Sequence, residues 1–225
     1  MSHTELIEIT KGYPVAGEKI TAVNNVSLVI EKGDFISIAG HSGSGKTTLI
    51  SIIGGILSPG SGKVVFNGTD ICSLNDDKLS EYRNSKIGFI FQFASLLPNL
   101  TAKENVLLPC IFSRENALHR DSHAKECLEN VGIGDKINAY PSQLSGGEQR
   151  RVAIARAFIN SPELILADEP TGDLDEVTEH DIMELFRKAN NEQGTTFVIV
   201  THSSDIANSC RKKYRMSRGI LTQET

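Results

Sequence analysis

Residues 40–47 read Gly40-His41-Ser42-Gly43-Ser44-Gly45-Lys46-Thr47. This order of residue types matches the pattern G-x-x-x-x-G-K-[ST], in which successive backbone amides surround phosphate oxygens. The glycines allow the backbone to approach a phosphate more closely than a β-carbon would permit. Lys46 can reach the β- and γ-phosphates, and the Thr47 hydroxyl can ligate Mg²⁺. The stretch therefore predicts a phosphate-binding loop.

The segments on either side of this loop support that prediction. Residues 34–39 are rich in apolar side chains and indicate a strand, and residues 48–53 indicate a mostly buried helix. The positive end of this helix would add to the attraction for phosphate. A glycine loop between strand and helix argues against an ordinary Gly/Ser surface turn and favours an α/β fold.

The composition indicates one globular domain. The chain has 225 residues, of which 39% are hydrophobic and 23% charged, and its formal net charge is −5. The acidic balance argues against non-specific binding of nucleic acid, so we expect no nucleic-acid partner. The polar N-terminus predicts no signal peptide, and no apolar run approaches the ~20 residues of a spanning helix. We expect the chain not to cross a membrane unaided.

The four cysteines show no C-x-x-C pairing and indicate reduced thiols in a cytosolic protein. His119, His123 and Cys127 are four residues apart, which would place three zinc ligands on one helix face. Ala124, Cys127 and Leu128 also form an apolar stripe at helical spacing. We therefore interpret Cys127 as a small core residue.

Several short strands and a helical insertion surround the predicted core. Residues 6–9, 22–30 and 62–68 have strand patterns and are expected to form an antiparallel subdomain, whereas residues 11–14 are expected to turn. Tyr13 is either a base-stacking residue or an ordinary tyrosine at a strand end. We predict one domain over residues 1–225. Its core and antiparallel part comprise residues 1–92 and 143–225, and its helical subdomain comprises residues 93–142.

A second glycine pair opens the helix after residue 144. Ser145 and Glu148 fit a capping box, which would explain the start of this helix on its own. Two glycines in the first turn are nevertheless costly for a helix. They make sense if the backbone amides and the Ser145 hydroxyl lie against a phosphate.

Polar side chains follow three predicted strands. Gln92 ends the strand that begins at Ile87, Asp168 and Glu169 end a buried strand, and His202 ends the strand that begins at Thr195. Ligands of parallel α/β sheets bind beyond the carboxyl ends of the strands, so these side chains indicate one site. Asp168 is suited to hold Mg²⁺, and Glu169 is suited to act as a general base.

With these motifs in this order, nearly the whole chain resembles the nucleotide-binding subunit of ABC transporters. The pentapeptide Leu144-Ser145-Gly146-Gly147-Glu148, together with both phosphate-site motifs, is highly specific for that family. In detail the chain is similar to the lipoprotein-release and macrolide-exporter branch, and the cell-division ATPase of the same superfamily looks similar. The residues that carry this finer likeness are Ile87-Gly88-Phe89-Ile90-Phe91-Gln92, residues 97–106 and Leu166-Ala167-Asp168-Glu169-Pro170-Thr171-Gly172.

The resemblance implies a P-loop ATPase fold with a mostly parallel sheet, an antiparallel β subdomain and a helical subdomain. It implies ATP and Mg²⁺ as ligands, Glu169 and His202 as catalytic residues, and a metal site at Thr47, Gln92 and Asp168. It also implies that two subunits enclose ATP head to tail, with Ser145 and Gly147 acting on the nucleotide of the partner and Asp175 at the seam. The implied ATP-binding residues are Tyr13, Gly40, His41, Ser42, Gly43, Ser44, Gly45, Lys46, Thr47, Thr48, Gln92, Ser145 and Gly147.

Four residues depart from the family pattern. Glu148 stands where glutamine is common, Thr47 where serine is common and Ser203 where aspartate is frequent, and Asp173 lies inside the loop that ends at Asp175. The exchanges at Glu148 and Thr47 keep the chemistry. We therefore still expect catalysis, but the sequence does not predict its rate.

The function expected from the resemblance is ATP hydrolysis that powers a separate integral membrane permease, for export or extraction of a lipoprotein, peptide or drug-like substrate. The permease would dock near Phe93–Leu100 and hold the subunit on the cytoplasmic face of the cell membrane. One alternative is a cell-division-type ATPase that regulates cell-wall remodelling through a membrane partner. The other is a soluble ABC ATPase of translation or DNA repair. A single phosphate-binding loop and the absence of sustained heptads disfavour the latter.

Overall fold

The computed structural model describes residues 3–15, 18–112, 120–172 and 174–224. The strands are β1 (Thr4–Val15), β2 (Glu18–Ile30), β3 (Phe35–Ala39), β4 (Ser61–Phe66), β5 (Thr69–Asp70), β6 (Ile87–Ile90), β7 (Leu164–Asp168), β8 (Thr196–Thr201), β9 (Lys212–Ser217) and β10 (Ile220–Glu224). The α-helices are α1 (Lys46–Ile53), α2 (Asp76–Lys86), α3 (Ala102–Leu107), α4 (Arg120–Asn130), α5 (Gly146–Phe158), α6 (Glu176–Gln193) and α7 (Ser204–Ser209). Short 3-10 helices span Ile71–Ser73, Leu108–Phe112, Gly134–Lys136 and Pro141–Gln143.

The larger sheet of the described residues has six strands in the order β10-β9-β3-β8-β7-β6. β9, β3, β8, β7 and β6 are parallel, and β10 adds an antiparallel edge. All of β7 and β8 is buried, as expected for strands covered on both faces. The carboxyl ends of four of these strands, β3, β6, β7 and β8, therefore meet at one edge of the sheet.

The smaller sheet is antiparallel, with strand order β2-β1-β4-β5 in the described part of the chain. The predicted antiparallel subdomain is therefore confirmed. The predicted turn at residues 11–14 is wrong, because β1 continues through this segment and pairs Tyr13 with Ile20. Shifts of register between β1 and β2 keep the strand paired past Glu8 and Asn25, which both adopt a φ of +50°.

The helices of the predicted insertion pack on α5. Thr101 caps the start of α3, and its capping box with Glu104 is formed as predicted. The buried side chains of α3, α4 and α5 share one apolar core with Phe197 of the sheet. The insertion is thus continuous with the core of the sheet, and the subdomain boundaries at residues 92/93 and 142/143 stay a prediction.

The zinc alternative finds no support in the residues that the structure describes. Among them, no group of three or more histidine, cysteine or acidic side chains is arranged to hold a metal ion. Cys127 is 5% exposed and belongs to the apolar core, as interpreted from its helical stripe. Burial raises the pKa of its thiol to about 12. His119 lies outside the described residues.

None of the helices in the described ranges is both long and apolar enough to span a membrane.

Candidate functional site

A cavity of about 850 Å³ lies at the carboxyl edge of the parallel sheet. It brings together the loop after β3 and the side chains that follow β6, β7 and β8, as their positions at strand ends predicted. The predicted site residues that line it are Gly40, His41, Ser42, Gly43, Ser44, Gly45, Lys46, Thr47, Thr48, Gln92, Asp168, Glu169 and His202.

The glycines of the loop are required by close backbone contacts. A β-carbon on Gly40 would lie 2.3 Å from the carbonyl oxygen of Met216, and one on Gly45 would lie 2.0 Å from that of Ala22. Gly45 also adopts a φ of +107°, which side chains rarely allow. The loop is therefore shaped by glycine and held against β2 and β9.

Two polar side chains of the loop indicate that its ligand is a phosphate group. Lys46 is 8% exposed, and its ammonium donates to the carbonyls of Gly40 at 2.7 Å and His41 at 3.1 Å. The buried Ser44 Oγ has no hydrogen-bond partner among the described residues. Gly45, at the start of α1, offers no capping side chain to the first amides of the helix. A buried cation, an unpaired hydroxyl and uncapped helix amides fit a phosphate group.

Asp168 ends β7 beside this loop and is 5% exposed. Burial raises the pKa of its carboxyl, against the opposing hydrogen bond from Thr47 and the charges of Lys46 and Arg150. Thr47 and Asp168 thus place a hydroxyl and a carboxylate together. These oxygen groups, with the amide of Gln92 in the same cavity, fit the preference of Mg²⁺ for oxygen ligands.

Glu169 is held by the end of the neighbouring strand. Its carboxylate accepts from the Thr201 hydroxyl at 3.0 Å and from the His202 amide at 3.3 Å. Its Oε1 lies 2.9 Å from His202 Nδ1, and the two side chains are 13% and 75% exposed. Glu169 adopts a φ of +47°, a strained conformation for this residue type. A fixed carboxylate at the cavity surface is suited to take a proton from a bound water.

Three predicted nucleotide residues do not line the cavity. Tyr13 is 36% exposed in β1, and its ring lies 5.8 Å from the Lys11 ammonium. Ser145 and Gly147 lie at the start of α5, where Ser145 Oγ accepts from the Glu148 amide at 3.2 Å. The structure therefore does not bring these residues to the phosphate-binding loop of the same chain.

Sequence reasoning missed two residues that support the site. Thr201 donates to Glu169, and Arg150 of α5 donates to the carbonyl of Phe91, the residue before Gln92. A buried threonine at the end of β8 has no distinctive sequence pattern. The burial of Arg150 was detectable in principle, because helical spacing places residue 150 on the apolar face of α5.

The fold and this site define a P-loop nucleoside triphosphatase. The family model described as ABC transporter matches residues 23–172 of the chain. The chain belongs to the ABC transporter family, and within it is an ATP-binding cassette with ATPase activity. The predicted fold class is confirmed by this match and by the solved structures below.

The relatives support the predicted branch of the family. The lipoprotein-releasing system ATP-binding protein LolD of Myxococcus xanthus is 40% identical over 223 residues, which cover 99% of this chain and 100% of that protein. The macrolide export ATP-binding/permease protein MacB of Rhodopirellula baltica is 41% identical over 222 residues. That match covers 98% of this chain and 32% of the relative, so the chain spans about a third of the length of MacB.

Solved structures show the same architecture. The ATP-binding cassette MJ0796, described as a dimer in a post-hydrolysis state bound to ADP and Pi, matches with a TM-score of 0.92. The sequences are 42% identical, and the match covers 98% of both chains. A second dimeric structure of MJ0796, described as a bacterial ABC transporter cassette, has the same TM-score and 43% identity.

Proposed function

We propose that this ATPase uses Glu169 as its general base and that it powers a membrane permease. The observation that carries the proposal is the fixed Glu169 carboxylate, held by Thr201 and His202 in the cavity of the phosphate-binding loop. In the proposed reaction a water attacks the γ-phosphorus of ATP and gives its proton to Glu169. The bond between the γ-phosphorus and the leaving oxygen of ADP breaks.

The other residues of the cavity have supporting roles in this proposal. Lys46 and the amides of the loop would bind the β- and γ-phosphates, and Thr48 would extend this contact at the start of α1. His202, beside Glu169, would hold the attacking water or the γ-phosphate. The exposed Tyr13 would stack on the adenine.

Mg²⁺ would be held by Thr47, Gln92 and Asp168, and when bound it would neutralise charge on the phosphate oxygens. The fit of this donor set rests on the contact between Thr47 and Asp168 and on their shared cavity with Gln92.

Replacing Glu169 tests the assignment of the base. Glu169→Gln keeps the size of the side chain and its hydrogen bonds with Thr201, but removes the proton acceptor. We expect the variant to bind ATP and to lose about 10²- to 10⁴-fold in turnover. Glu81→Gln changes the same residue type on the exposed face of α2 and should hydrolyse ATP normally. Near-normal turnover by Glu169→Gln would overturn the assignment.

We also propose that the active species is a dimer in which Ser145 and Gly147 contact the nucleotide of the other subunit. The start of α5 supports this arrangement. A β-carbon on Gly146 would meet nothing within 4 Å, and one on Gly147 only Leu174 at 3.4 Å. Neither glycine is required by packing within the chain, although each costs a helix up to about 1 kcal/mol. The approach of a phosphate from outside the chain accounts for both, and Asp175 nearby would lie at the seam between subunits.

The Glu169→Gln variant, which is expected to bind ATP but hydrolyse it slowly, can be used to detect this dimer. Glu169→Gln should shift to twice the monomer mass in ATP and remain a monomer in ADP. The measurement is size-exclusion chromatography with light scattering. A monomer in both nucleotides would contradict the ATP-dependent dimer for the isolated chain.

The permease is proposed to dock on the loop at residues 93–100. Phe93 is 74% exposed and Leu97 is 48% exposed, whereas Leu96 is partly buried against the helical core. Arg156 fixes the loop, because its guanidinium donates to the carbonyls of Ala94 at 2.8 Å and Ser95 at 3.0 Å. A fixed backbone that presents outward apolar side chains favours an interaction surface.

A groove beside this loop adds to the apolar surface. It has a volume of about 360 Å³ and includes Phe89 and Phe91, whose rings stack with centroids 4.3 Å apart. Phe91 is 42% exposed and directly precedes Gln92. A helix of the permease seated here would touch the segment that carries Gln92, which would link phosphate release to movement of the permease.

Charged substitutions on the loop test the docking proposal. Leu97→Asp or Phe93→Asp should keep ATP hydrolysis by the free subunit but lose co-purification with the permease. Val29→Asp is the control, because Val29 is 51% exposed and belongs to the other sheet. If both loop variants still co-purify and transport, the permease docks elsewhere. If both unfold, these side chains belong to the core.

We propose export or extraction of a lipoprotein, peptide or drug-like substrate as the cargo function, on the cytoplasmic face of the cell membrane. The support is the similarity to LolD and MacB. The neighbouring reading frame tests it. A permease with four spans and a large external domain would support this function, and its absence would favour the cell-division alternative.

A further inference from the structure

The first turn of α5 carries a negative charge at Glu148, within the turn that is proposed to meet the phosphates of the partner's ATP. One oxygen of Glu148 accepts from the Ser145 amide at 2.8 Å. The Glu148 side chain is 24% exposed, so its charge contributes to this surface. A triphosphate that approaches this turn would be repelled by an uncompensated carboxylate.

The structure pairs this carboxylate with Lys136. Its ammonium donates to the other oxygen of Glu148, and the Lys136 side chain is 38% exposed. The hydrogen bond with Lys136 is the largest cause that lowers the pKa of Glu148, followed by the Ser145 amide. Glu148 is thus ionised, paired with a cation and tied to the residue that would contact the nucleotide.

The backbone around Lys136 is fixed. Lys136 ends a 3-10 helix, its amide donates to Ile133 at 3.0 Å, and its carbonyl accepts from Ala139 at 3.0 Å. The adjacent carbonyl of Ile137 accepts from the Lys103 amide at 3.0 Å, at the start of α3. The cation is therefore presented to α5 by a segment anchored to the helical core.

We propose that Lys136 is a positioning residue for the composite ATP site: it neutralises Glu148 and orients the first turn of α5 towards the partner's triphosphate. This inference rests on the proposed function, in which Ser145 and Gly147 act on the nucleotide of the other subunit. Lys136 is then the cation that compensates for the negative charge of Glu148.

A set of charge variants tests the proposal in the slow Glu169→Gln parent, where ATP-dependent dimerisation is measured directly. Lys136→Gln should weaken the ATP dimer roughly tenfold at low salt, since two such turns meet two triphosphates in each dimer. The loss should shrink as ionic strength rises and the Debye length falls below about 10 Å. Lys136→Arg keeps the charge and should dimerise like the parent.

The double variant separates charge compensation from a structural role. Glu148→Gln keeps a side chain able to complete the capping box and removes the negative charge. Adding it to Lys136→Gln should restore dimerisation to at least the parent level. A double variant as weak as Lys136→Gln, or a Lys136→Gln variant that dimerises like the parent at low salt, would overturn the proposal.

The behaviour of the Glu169→Gln parent distinguishes a failure of the proposed role of Lys136 from a failure of the proposed function. If Glu169→Gln does not dimerise in ATP, both proposals fall. If it dimerises and adding Ser145→Arg to both subunits weakens the dimer, the composite site stands and the comparison of Lys136 variants alone decides the role of Lys136.

Discussion

The guanidinium of Arg150 donates to the main-chain carbonyl of Phe91 over 2.7 Å. Its second nitrogen donates to the carbonyl of Gly172 at 3.2 Å. Arg150 is 6% exposed and lies on α5, the helix that begins after Ser145. One buried cation thus joins this helix to the segment that precedes Gln92 and to the loop after Glu169. We expect a displacement of α5 to be transmitted to both.

Arg150→Lys tests this connection. Lysine keeps the charge but cannot reproduce the two-pronged geometry of the guanidinium. Because a hydrogen bond from a charged group is worth roughly 1.5–3 kcal/mol, we expect turnover of ATP to fall about tenfold or more. Binding of ATP should change much less, which a comparison of kcat with the nucleotide Kd would measure.

Arg187→Lys is the matched control for Arg150. Arg187 lies on α6, where it pairs with Glu184 of that helix, and its side chain is partly exposed. Its exchange for lysine should therefore leave turnover unchanged. A normal kcat in Arg150→Lys would show that the link between α5 and the two loops is not needed for catalysis.

Thr201 is expected to orient the carboxylate of Glu169, the proposed general base. Its hydroxyl donates to Glu169 at 3.0 Å from a fully buried position at the end of β8. Thr201→Val has nearly the same shape but lacks the donor, so we expect kcat to fall about tenfold, in line with one hydrogen bond to a charged group. Thr201→Ser keeps the hydroxyl and should retain most of the activity. Equal kcat values for the valine and serine variants would contradict the role.

Asp168 is expected to make the nucleotide-free protein less stable at neutral pH. Burial raises the pKa of this carboxyl in the folded state, so folding opposes its ionisation. The free energy of unfolding contributed by Asp168 therefore falls as the pH rises through the folded-state pKa, and this loss persists at higher pH. Asp168→Asn removes the charge and should melt a few degrees higher than the unmodified protein at pH 7 without nucleotide.

Lowering the pH tests whether ionisation of Asp168 causes this difference in stability. As the pH falls towards the ordinary pKa of an aspartate, the carboxyl becomes protonated in both states and the advantage of Asp168→Asn should disappear. Asp181→Asn, on the exposed face of α6, should show no such gain. A lower melting temperature for Asp168→Asn at pH 7 would contradict the expectation.

The cavity was predictable because its residues lie in local patterns. The phosphate-binding loop lies within eight residues, and Gln92, Glu169 and His202 each follow an apolar run. Parallel strands bring their carboxyl ends to one edge, so position in the chain implied position in space. The capping boxes at Thr101 and Ser145 were equally local.

The missed features depend on long-range pairing or on sparse burial. Residues 11–14 contain glycine and proline, but pairing of β1 with β2 keeps the segment extended. The helix α2 was not predicted, because Tyr82 is its buried side chain and, apart from the partly buried Leu79, the rest is polar. Its cap Asn75 and the acidic first turn were the available signals. The contact between Lys136 and Glu148 depends on the packing of two helical segments and has no signal in the spacing.

Hydrolysis of ATP by a mixture of two inactive variants shows whether each ATP site is built from two subunits. Lys46→Ala removes the lysine that is proposed to bind phosphate, and Ser145→Arg blocks the start of α5, so each variant alone should be inactive. Mixed dimers would contain one site with Lys46 and Ser145 both intact. An equal mixture should then recover about a quarter of the unmodified activity if the subunits exchange freely and the sites act independently. Activity at background in a mixture that forms dimers, or normal activity in Ser145→Arg alone, would show that the ATP site is not shared between subunits.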